Sequence, residues 1–562
     1  MNLIGNINAI PFRRFRGGGG AIPPFPSIPG TIARYSALGL TNEEMSKNPV
    51  WVDKTGNGHD LQMKNFAWGG MSGVNGYVQN FNYFRNNATV DKVRIDEQSS
   101  NSIKVTLLTS GMGHVIYIPK NIYQFNKSYF IKISSEGYNE GDLFLSFYAP
   151  STSTATTVKV PLNPNGITEI PAIKEDDFLA VYLFNAAGKV GSITIEQLPL
   201  YPGFILGDGV DDFAVTEKEL NFEDTYTVYT AFIPFQDDPV RAMEMCGKDF
   251  KKDFYLYYSN THIVYYTSGL NNYIPVRINQ FHIIVCKRNK TNAVIKNLIT
   301  GESKTFSVSE LIDNPGVYYL WRYQRSGTST AKSAIAGQTI CNGYFSTDED
   351  DEKVLDWYKK QYPWLFFDQA WTVVGKTNED EDRATIANIT GNGNDLILSN
   401  FGFAEGSGYN EEGEYAGYLV TDGVDDSGRA VGLTISKDFT LVGEWILFSK
   451  TSVNAGLSIH PQIHIFNRPE VIQIIFRTAG KTLPVKSLKA ICSDGRCYDE
   501  NWSELKINVG EFTDNKGTLF VASNGTNYAQ IAFKNLGIYN DQLLSKDDCI
   551  KAYNYLQTLK AK

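Results

Sequence analysis

The chain has 562 residues, too many for one hydrophobic core, and its ordinary globular composition sets an expectation of three domains, each able to bury a core without disulfide or metal staples. A formal net charge of −9 argues against a general binder of nucleic acid or of anionic membranes, and no apolar run is long enough to span a bilayer. Aromatic residues make up 13% of the chain, and 49 glycines accompany many Asn-Gly and Asp-Gly pairs, a composition of short strands joined by tight turns.

Residues 1–30 stand apart. Phe12, Arg13, Arg14, Phe15 and Arg16 precede four glycines (17–20) and then Pro23, Pro24, Pro26 and Pro29. One reading is a leader that packs nothing. The reading adopted is an anchor peptide: arginines and aromatics dock on a partner, the glycines form a hinge and the prolines a semi-rigid spacer. The segment has no uninterrupted apolar core ahead of its arginines and reads as a poor signal peptide, so the expectation is a protein made in a cytoplasm and neither exported by the usual route nor anchored in lipid.

Beyond residue 30 two blocks occur twice in the same order. GNGHDLQMKNFAW from Gly56 matches GNGNDLILSNFGF from Gly391, and LGDGVDDFAV from Leu206 matches VTDGVDDSGRAV from Val420. A looser pair closes each copy: GYFSTDEDDEKVLDWYKKQ from Gly343 and GIYNDQLLSKDDCIKAYNYLQ from Gly537, each a strand end, an acidic or Ser-containing cap and a short amphipathic helix. Gly56 and Asp208 are 152 residues apart, Gly391 and Asp422 only 31, so about 121 extra residues sit between two blocks that should be neighbours. An addition of that size is a domain lodged in a surface loop, where extra length costs little loop entropy. Residues 81–202 themselves read as strands (SIKVTLL, HVIYIP, SYFIKISS, LFLSFYA, TVKVPL, FLAVYLF, GSITIEQLPL) between Gly, Asn, Ser and Pro breaks.

Later in the first copy, FYLYYSNTHIVYY (254–266) reads as a hairpin turning at Ser259 and Asn260, and YYLWRYQRSG places Trp321 and Tyr323 beside Arg322 and Arg325. Sugar rings stack on exposed aromatic faces, which makes Tyr257, Tyr265, Trp321 and Tyr323 the candidate glycan-binding residues; core or subunit-interface packing is the competing use of the same rings. Each DGVDD block would offer carboxylates to calcium, but an Asp-Gly turn capped by its own aspartates is the preferred reading, and no metal site is expected. Of six cysteines, only Cys492 and Cys497 are close enough for a hairpin disulfide, and free thiols are expected.

The paired blocks resemble the laminin G-like, concanavalin A-like family, whose first strand reads "dG-(N)-dl", whose hairpin strand reads "DGvDDyv" and whose domain closes with "g.iyn..Ls..ei...y.yl". The matching positions are Gly56, Asn57, Gly58 and Asp60, then Asp208 to Asp212, then Gly343 and the helix from Asp348 in the first copy, and Gly391, Asn392, Gly393 and Asp395, then Asp422 to Asp426, then Asn535, Gly537, Tyr539 and Leu544 in the second. The end of the insert is similar to carbohydrate-binding-module jelly rolls. The resemblance implies an all-β fold: two concanavalin A-like jelly-roll sandwiches (31–80 with 203–362, and 363–562), the first interrupted by a smaller carbohydrate-binding-module-like sandwich (81–202), behind the 1–30 peptide. Some relatives of this fold are glycosidases with a Glu-x-Asp-x-x-Glu strand. Here Glu140/Asp142, Glu175/Asp177 and Glu349/Asp351 begin the pattern, and Leu145, Ala180 and Val354 end it, so no catalysis and no cofactor are expected.

Repeated sandwiches behind a short N-terminal peptide resemble fibre and decoration proteins of tailed phages of gut Bacteroidota (crAss-like). That likeness implies a virion structural protein, a head or tail fibre, anchored to capsid or tail protein through the N-terminal peptide, assembled as a homotrimer and binding a cell-surface glycan, with neither nucleic acid nor membrane insertion involved. A secreted glycan-binding protein, or a glycoside hydrolase carrying a binding module, is the alternative.

Overall fold

The computed structural model describes residues 24–561 except 87–91, 112, 150–156, 176–177, 236–239, 248–253, 260, 268–269, 310–315, 322–330, 392, 448–453, 461–462, 469–470, 477–478, 484–486, 508, 510–511, 513 and 524–527. Among them every strand pairing is antiparallel, and three short α-helices complete the fold: α1 (Asn42–Lys47), α2 (Asp348–Gln361) and α3 (Lys546–Thr558).

The first sandwich has an open sheet and a sheet that carries a helix. The open sheet runs Val50–Trp51, Leu61–Lys64, Phe213–Thr216, Gly316–Leu320, Val240–Gly247, Phe254–Ser259, His262–Thr267, Leu270–Pro275. The helix-bearing sheet runs Ser303–Ser307, Asn292–Asn297, His282–Arg288, Tyr226–Pro234, Lys332–Asn342, Ile205–Asp208, Gly73–Val74, with Thr31–Ser36 also paired to Lys332–Asn342. The second sandwich repeats both orders strand for strand. Its open sheet is Thr385–Ile386, Leu396–Ser399, Ser427–Ile435, Asn515–Val521, Asn454–His460, Ile463–Arg468, Val471–Phe476, Ala479–Leu483. Its helix-bearing sheet is Glu504–Lys506, Arg496–Asp499, Leu488–Cys492, Phe439–Leu447, Ile531–Asn540, Tyr418–Val420, Gly408–Asn410, with Gln369–Thr372 on Ile531–Asn540.

Between Gly73–Val74 and Ile205–Asp208 the chain departs to build a separate sandwich of two five-stranded sheets. One is Val158–Pro161, Leu143–Tyr148, Ala180–Asn185, His114–Pro119, Arg85–Asn86; the other is Ile167–Ile170, Tyr129–Ser135, Gly191–Gln197, Ser102–Leu107, Val93–Gln98. Departure and return are side by side, because Val74 pairs with Ile205 and Tyr201 N–H donates to the Asn75 carbonyl at 2.9 Å. The duplicated sheet therefore closes as though nothing had been inserted.

Strand periodicity builds three inter-sheet cores, and a fourth apolar cluster joins them. In Tyr226–Pro234 every residue is buried: Val228 and Phe232 face the first inter-sheet core, while Tyr229, Ala231 and Ile233 face outward under α2. A strand covered on both sides is mostly apolar, as in the run YTVYTAFIP, and its two threonines are hydrogen-bonded: Thr227 donates to the Tyr344 carbonyl at 2.9 Å and Thr230 accepts from Gln338 at 3.0 Å. The joining cluster takes Val354, Trp357 and Tyr358 from α2, Tyr362 and Trp364 from the turn that follows, Cys549, Tyr553, Tyr555 and Leu556 from α3, and Phe130 and Leu198 from the insert. Phe281 N–H donates to the Tyr555 hydroxyl at 2.8 Å, tying the first sandwich to the second. Both helix-bearing sheets thus turn toward this hub, and both open sheets turn away.

The helices start where the sequence caps them. Thr347 accepts from Asp350 N–H and is answered by the Asp350 carboxylate in a capping box, and Ser545 accepts from Asp548 N–H. Cys492 and Cys497 are buried thiols not joined by a disulfide; Ile491 pairs with Cys497, so Cys492 lies on the opposite face, toward the hub. No helix is long and apolar enough to cross a membrane, among the described residues.

Candidate ligand-binding faces

The repeated motif blocks serve as turn scaffolds. Asp53 N–H donates to Asp60 Oδ1 at 2.7 Å, and Asn388 N–H to Asp395 Oδ1 at 2.8 Å. In the DGVDD turns, Asp208 N–H donates to Asp212 Oδ2 and Asp422 N–H to Asp426 Oδ2, each at 2.9 Å. Val210 N–H and Val424 N–H return to Asp208 and Asp422. Asn65 and Asn400, both at φ 68°, clamp these turns by donating to the carbonyls of Asp211 and Asp425. Gly73 and Gly408 are demanded by close approach: a Cβ at either would lie 2.5 Å from the Oδ1 of Asn42 or Asn378, which hold the next backbone N–H. In each turn three carboxylates offer oxygens within 4.8 Å of one another. Burial, with the nearby Asp208 and Asp211 charges, pushes the Asp212 carboxyl up to about 7.

The predicted glycan residues separate. Tyr257 is half-exposed on the open sheet of the first sandwich and donates its hydroxyl to Asn271 Oδ1 at 3.3 Å. Tyr265 is buried in the core, its hydroxyl 2.6 Å from that of Tyr226. Trp321 is buried too, 5.6 Å from Phe66 between ring centroids, with its indole N–H donating to the Ser333 carbonyl at 3.2 Å. These placements correct the expectation for Tyr265 and Trp321: neither offers a ring face to a sugar. Strand phase is the reason, and it was written in the sequence, since Ile263 and Tyr265 share a parity that points inward while Tyr266 takes the other. Tyr323, Phe12, Arg13, Arg14, Phe15 and Arg16 lie outside the described residues. The described chain begins on the proline segment, where Phe25 packs edge-on against Trp357 at 5.0 Å and Ile28 is buried.

The face that results is a tyrosine surface that the sequence reading named only in part. Tyr257 pairs with Val264, which pairs with Tyr273, and the next row holds Tyr266 beside Asn271. Tyr273 is 52% exposed, with the His262 ring 5.0 Å from it and Lys304 Nζ 4.6 Å over its face. Half-exposed tyrosines flanked by amide, imidazole and ammonium groups supply both a stacking surface and hydrogen-bonding groups for a polyhydroxylated ligand. The insert carries a second aromatic face, which sequence reasoning missed although alternate tyrosines in HVIYIP, LFLSFY and AVYLF signalled it.

Buried charge is concentrated at the hub. Lys489 Nζ lies 3.4 Å from Glu169 of the insert and 3.8 Å from Glu444, which also meets Lys534 at 3.2 Å; Tyr553 and Tyr418 hydroxyls complete the group. Burial alone would raise the Glu444 carboxyl, but Lys489 and Lys534 outweigh it and hold the group well below the usual carboxylate range.

No protein-family model matches the chain, and no curated protein matches it. Among solved structures it is similar to Trypanosoma rangeli sialidase at 6% identity, covering 46% of this chain and 61% of the sialidase, with a TM-score of 0.23. It is similar to the binding domain of botulinum neurotoxin DC at 8% identity (60% of this chain, 90% of that one, TM-score 0.27), and to tailspike protein 2 of Escherichia coli O157:H7 bacteriophage CAB120 at 12% identity (28% and 24%, TM-score 0.21). The chain spans less than two-thirds of the sialidase's length. These likenesses carry no argument about ligand or reaction; the β-sandwich assignment stands on the sheet topology.

Proposed function

We propose that this chain is a non-catalytic, glycan-recognising structural protein of a phage virion, a head or tail fibre or decoration protein held to capsid or tail protein by its N-terminal peptide and assembled as a homotrimer. The observation that carries recognition is the open-sheet face bearing Tyr257, Tyr266 and Tyr273, whose alternate positions are core. The shared hub supports a display role, because it fixes three sandwiches as one body while leaving the open sheets outward. The Arg/Phe and Gly segment ahead of Pro24 supplies the tether.

The test compares the full chain with a chain starting at Pro24, which keeps the Phe25 and Ile28 packing. Light scattering should show trimers for both, and only the full chain should enter particles. Immobilised host-surface polysaccharide should retain the wild type and lose the Tyr257→Ala/Tyr273→Ala variant. Monomers without particle association would overturn the fibre reading, and release of reducing sugar from the polysaccharide would move a hydrolase to the front.

A further inference from the structure

The inserted sandwich presents an aromatic sheet face of its own. Its second sheet, the one containing Tyr129–Ser135 and Ile167–Ile170, sends Phe130, Ile167 and Glu169 into the hub region, so the outer face of the sheet containing Leu143–Tyr148 and Ala180–Asn185 points away from the rest of the molecule. Register fixes what lies on it. Lys159 pairs with Ser146, Ser146 with Tyr182, Tyr182 with Tyr117, and Tyr117 with Arg85, giving one row across all five strands. A parallel row holds Phe144, Phe184 and His114. The alternate residues Leu145, Phe147, Val181, Leu183, Ile116 and Ile118 are core, so these rows face out.

The rings support one another. The Tyr117 and Tyr182 centroids are 5.7 Å apart, Tyr148 and Tyr182 are 5.9 Å apart, and His114 lies 4.4 Å from Tyr182. Lys159 Nζ sits 4.3 Å over the Phe184 ring. Among the described residues neither Lys159 nor Arg85 has a carboxylate partner, and no outward position on the five strands is acidic, in a chain whose net charge is −9. Ser146 Oγ is buried under this row with no hydrogen-bond partner among the described residues.

We infer that this face binds an acidic linear polysaccharide laid across the strands. Neighbouring strands are roughly 5 Å apart, so the Lys159-to-Arg85 row extends about 19 Å. Each step is close to the length of one pyranose unit, which lets successive sugars meet Tyr182 and Tyr117 while carboxylates reach Lys159 at one end and Arg85 at the other. Tyrosine hydroxyls answer sugar hydroxyls. A polynucleotide fits less well: its phosphates would meet cations only at the two ends and a net negative protein elsewhere. The site is separate from the tyrosine face of the first sandwich and does not depend on it.

The experiment is calorimetric titration of the full chain with oligogalacturonate and oligomannuronate, with neutral cello-oligosaccharide and oligothymidylate of matched length alongside. The expected result is binding of a uronate oligomer in preference to the neutral one, weakened by salt. Tyr182→Ala should weaken it roughly tenfold with the thermal midpoint kept. Lys159→Ala/Arg85→Ala should erase the acidic preference, and Tyr257→Ala should change nothing. The inference is overturned if neither uronate binds, if binding survives both insert variants, if Tyr257→Ala abolishes it, or if oligothymidylate binds more tightly.

Discussion

Thr227 in the first sandwich and Thr440 in the second occupy the same place: each pairs across to one strand at Lys287 or Cys492, and to the other at Cys341 or Tyr539. The long strand that follows carries a bulge at the same step, between Ala231 and Phe232 in one copy and between Glu444 and Trp445 in the other. Around this shared frame the contacts differ. Lys287 Nζ meets Asp351 of α2 at 2.8 Å, both buried, whereas at the equivalent joint Cys492 and Cys549 of α3 are hydrogen-bonded thiols. Where the first copy has Ala231, the second buries Glu444. The open faces differ too: Tyr257, Val264 and Tyr273 succeed one another along one row in the first copy, and Ile397, Arg429, Phe520, Ser458 and His464 along one in the second. Turns, bulge and strand order are what the fold needs from both copies; the helix joint and the open face are free to take on separate work.

The sharpest way to break this comparison is to cut the two joints. Asp351→Ala leaves Lys287 buried without its counter-charge and should cost about 3–5 kcal/mol. Cys549→Ala removes a sulfur and its weak hydrogen bond to Cys492 but leaves no charge uncompensated, and should cost about 1 kcal/mol. Hydrogen exchange read separately over Tyr226–Pro234 and Phe439–Leu447 checks it, and equal costs would mean that the two joints have not diverged in strength.

Acid should then distinguish the copies in the opposite sense. Glu444 is held below its ordinary range in the folded state, so its contribution is present above the unfolded carboxylate value and is lost as pH falls toward and below that value. Protonation leaves Lys489 and Lys534 paired only in part, and Lys489 also holds Glu169 of the insert. Amides of the Ile167–Ile170 strand and of the second sandwich should lose protection together below about pH 4, before the first sandwich opens. A Glu444→Gln variant should lose that acid step and be less stable at neutral pH.

The all-β sandwich class was legible because two turn motifs recur intact, and a turn that needs Asn65 or Asn400 in the left-handed region cannot drift. The ligand face was less legible. A hairpin reading FYLYYSNTHIVYY contains tyrosines of both parities, and only the run of Phe254, Leu256 and Ile263 tells which half is core. Trp321 misled for a different reason: it ends a strand at φ 60° and turns back under the open sheet, where Gly207 leaves room for its ring. Hub residues such as Glu169 and Lys489 are 320 positions apart, and neither block repeats, so no local pattern announced their meeting.

The smallest difference between the copies lies in the DGVDD turns themselves. Asp212 and Asp426 are both buried and both pushed up, burial first, against a hydroxyl that favours the ionised form in each copy (Ser72 for Asp212, Ser407 for Asp426); burial carries Asp212 up to about 7 and raises Asp426 less. A carboxyl raised to about 7 when folded keeps its proton where the unfolded chain has lost it. Its stabilisation is complete below the unfolded value near 4 and is lost as pH rises through 7. Asp212→Asn, which retains the acceptor for Asp208 N–H, should therefore match the wild type at pH 4 and exceed it by on the order of 2 kcal/mol at pH 8. Asp426→Asn should show a smaller gain, because burial raises the Asp426 carboxyl less. Urea midpoints of the four combinations at the two pH values decide the matter. Repeating them with calcium separates a turn from a metal site: a cation in the triad stabilises the ionised carboxylate, so the wild type would gain rather than lose stability with rising pH, and the asparagine would forfeit that gain.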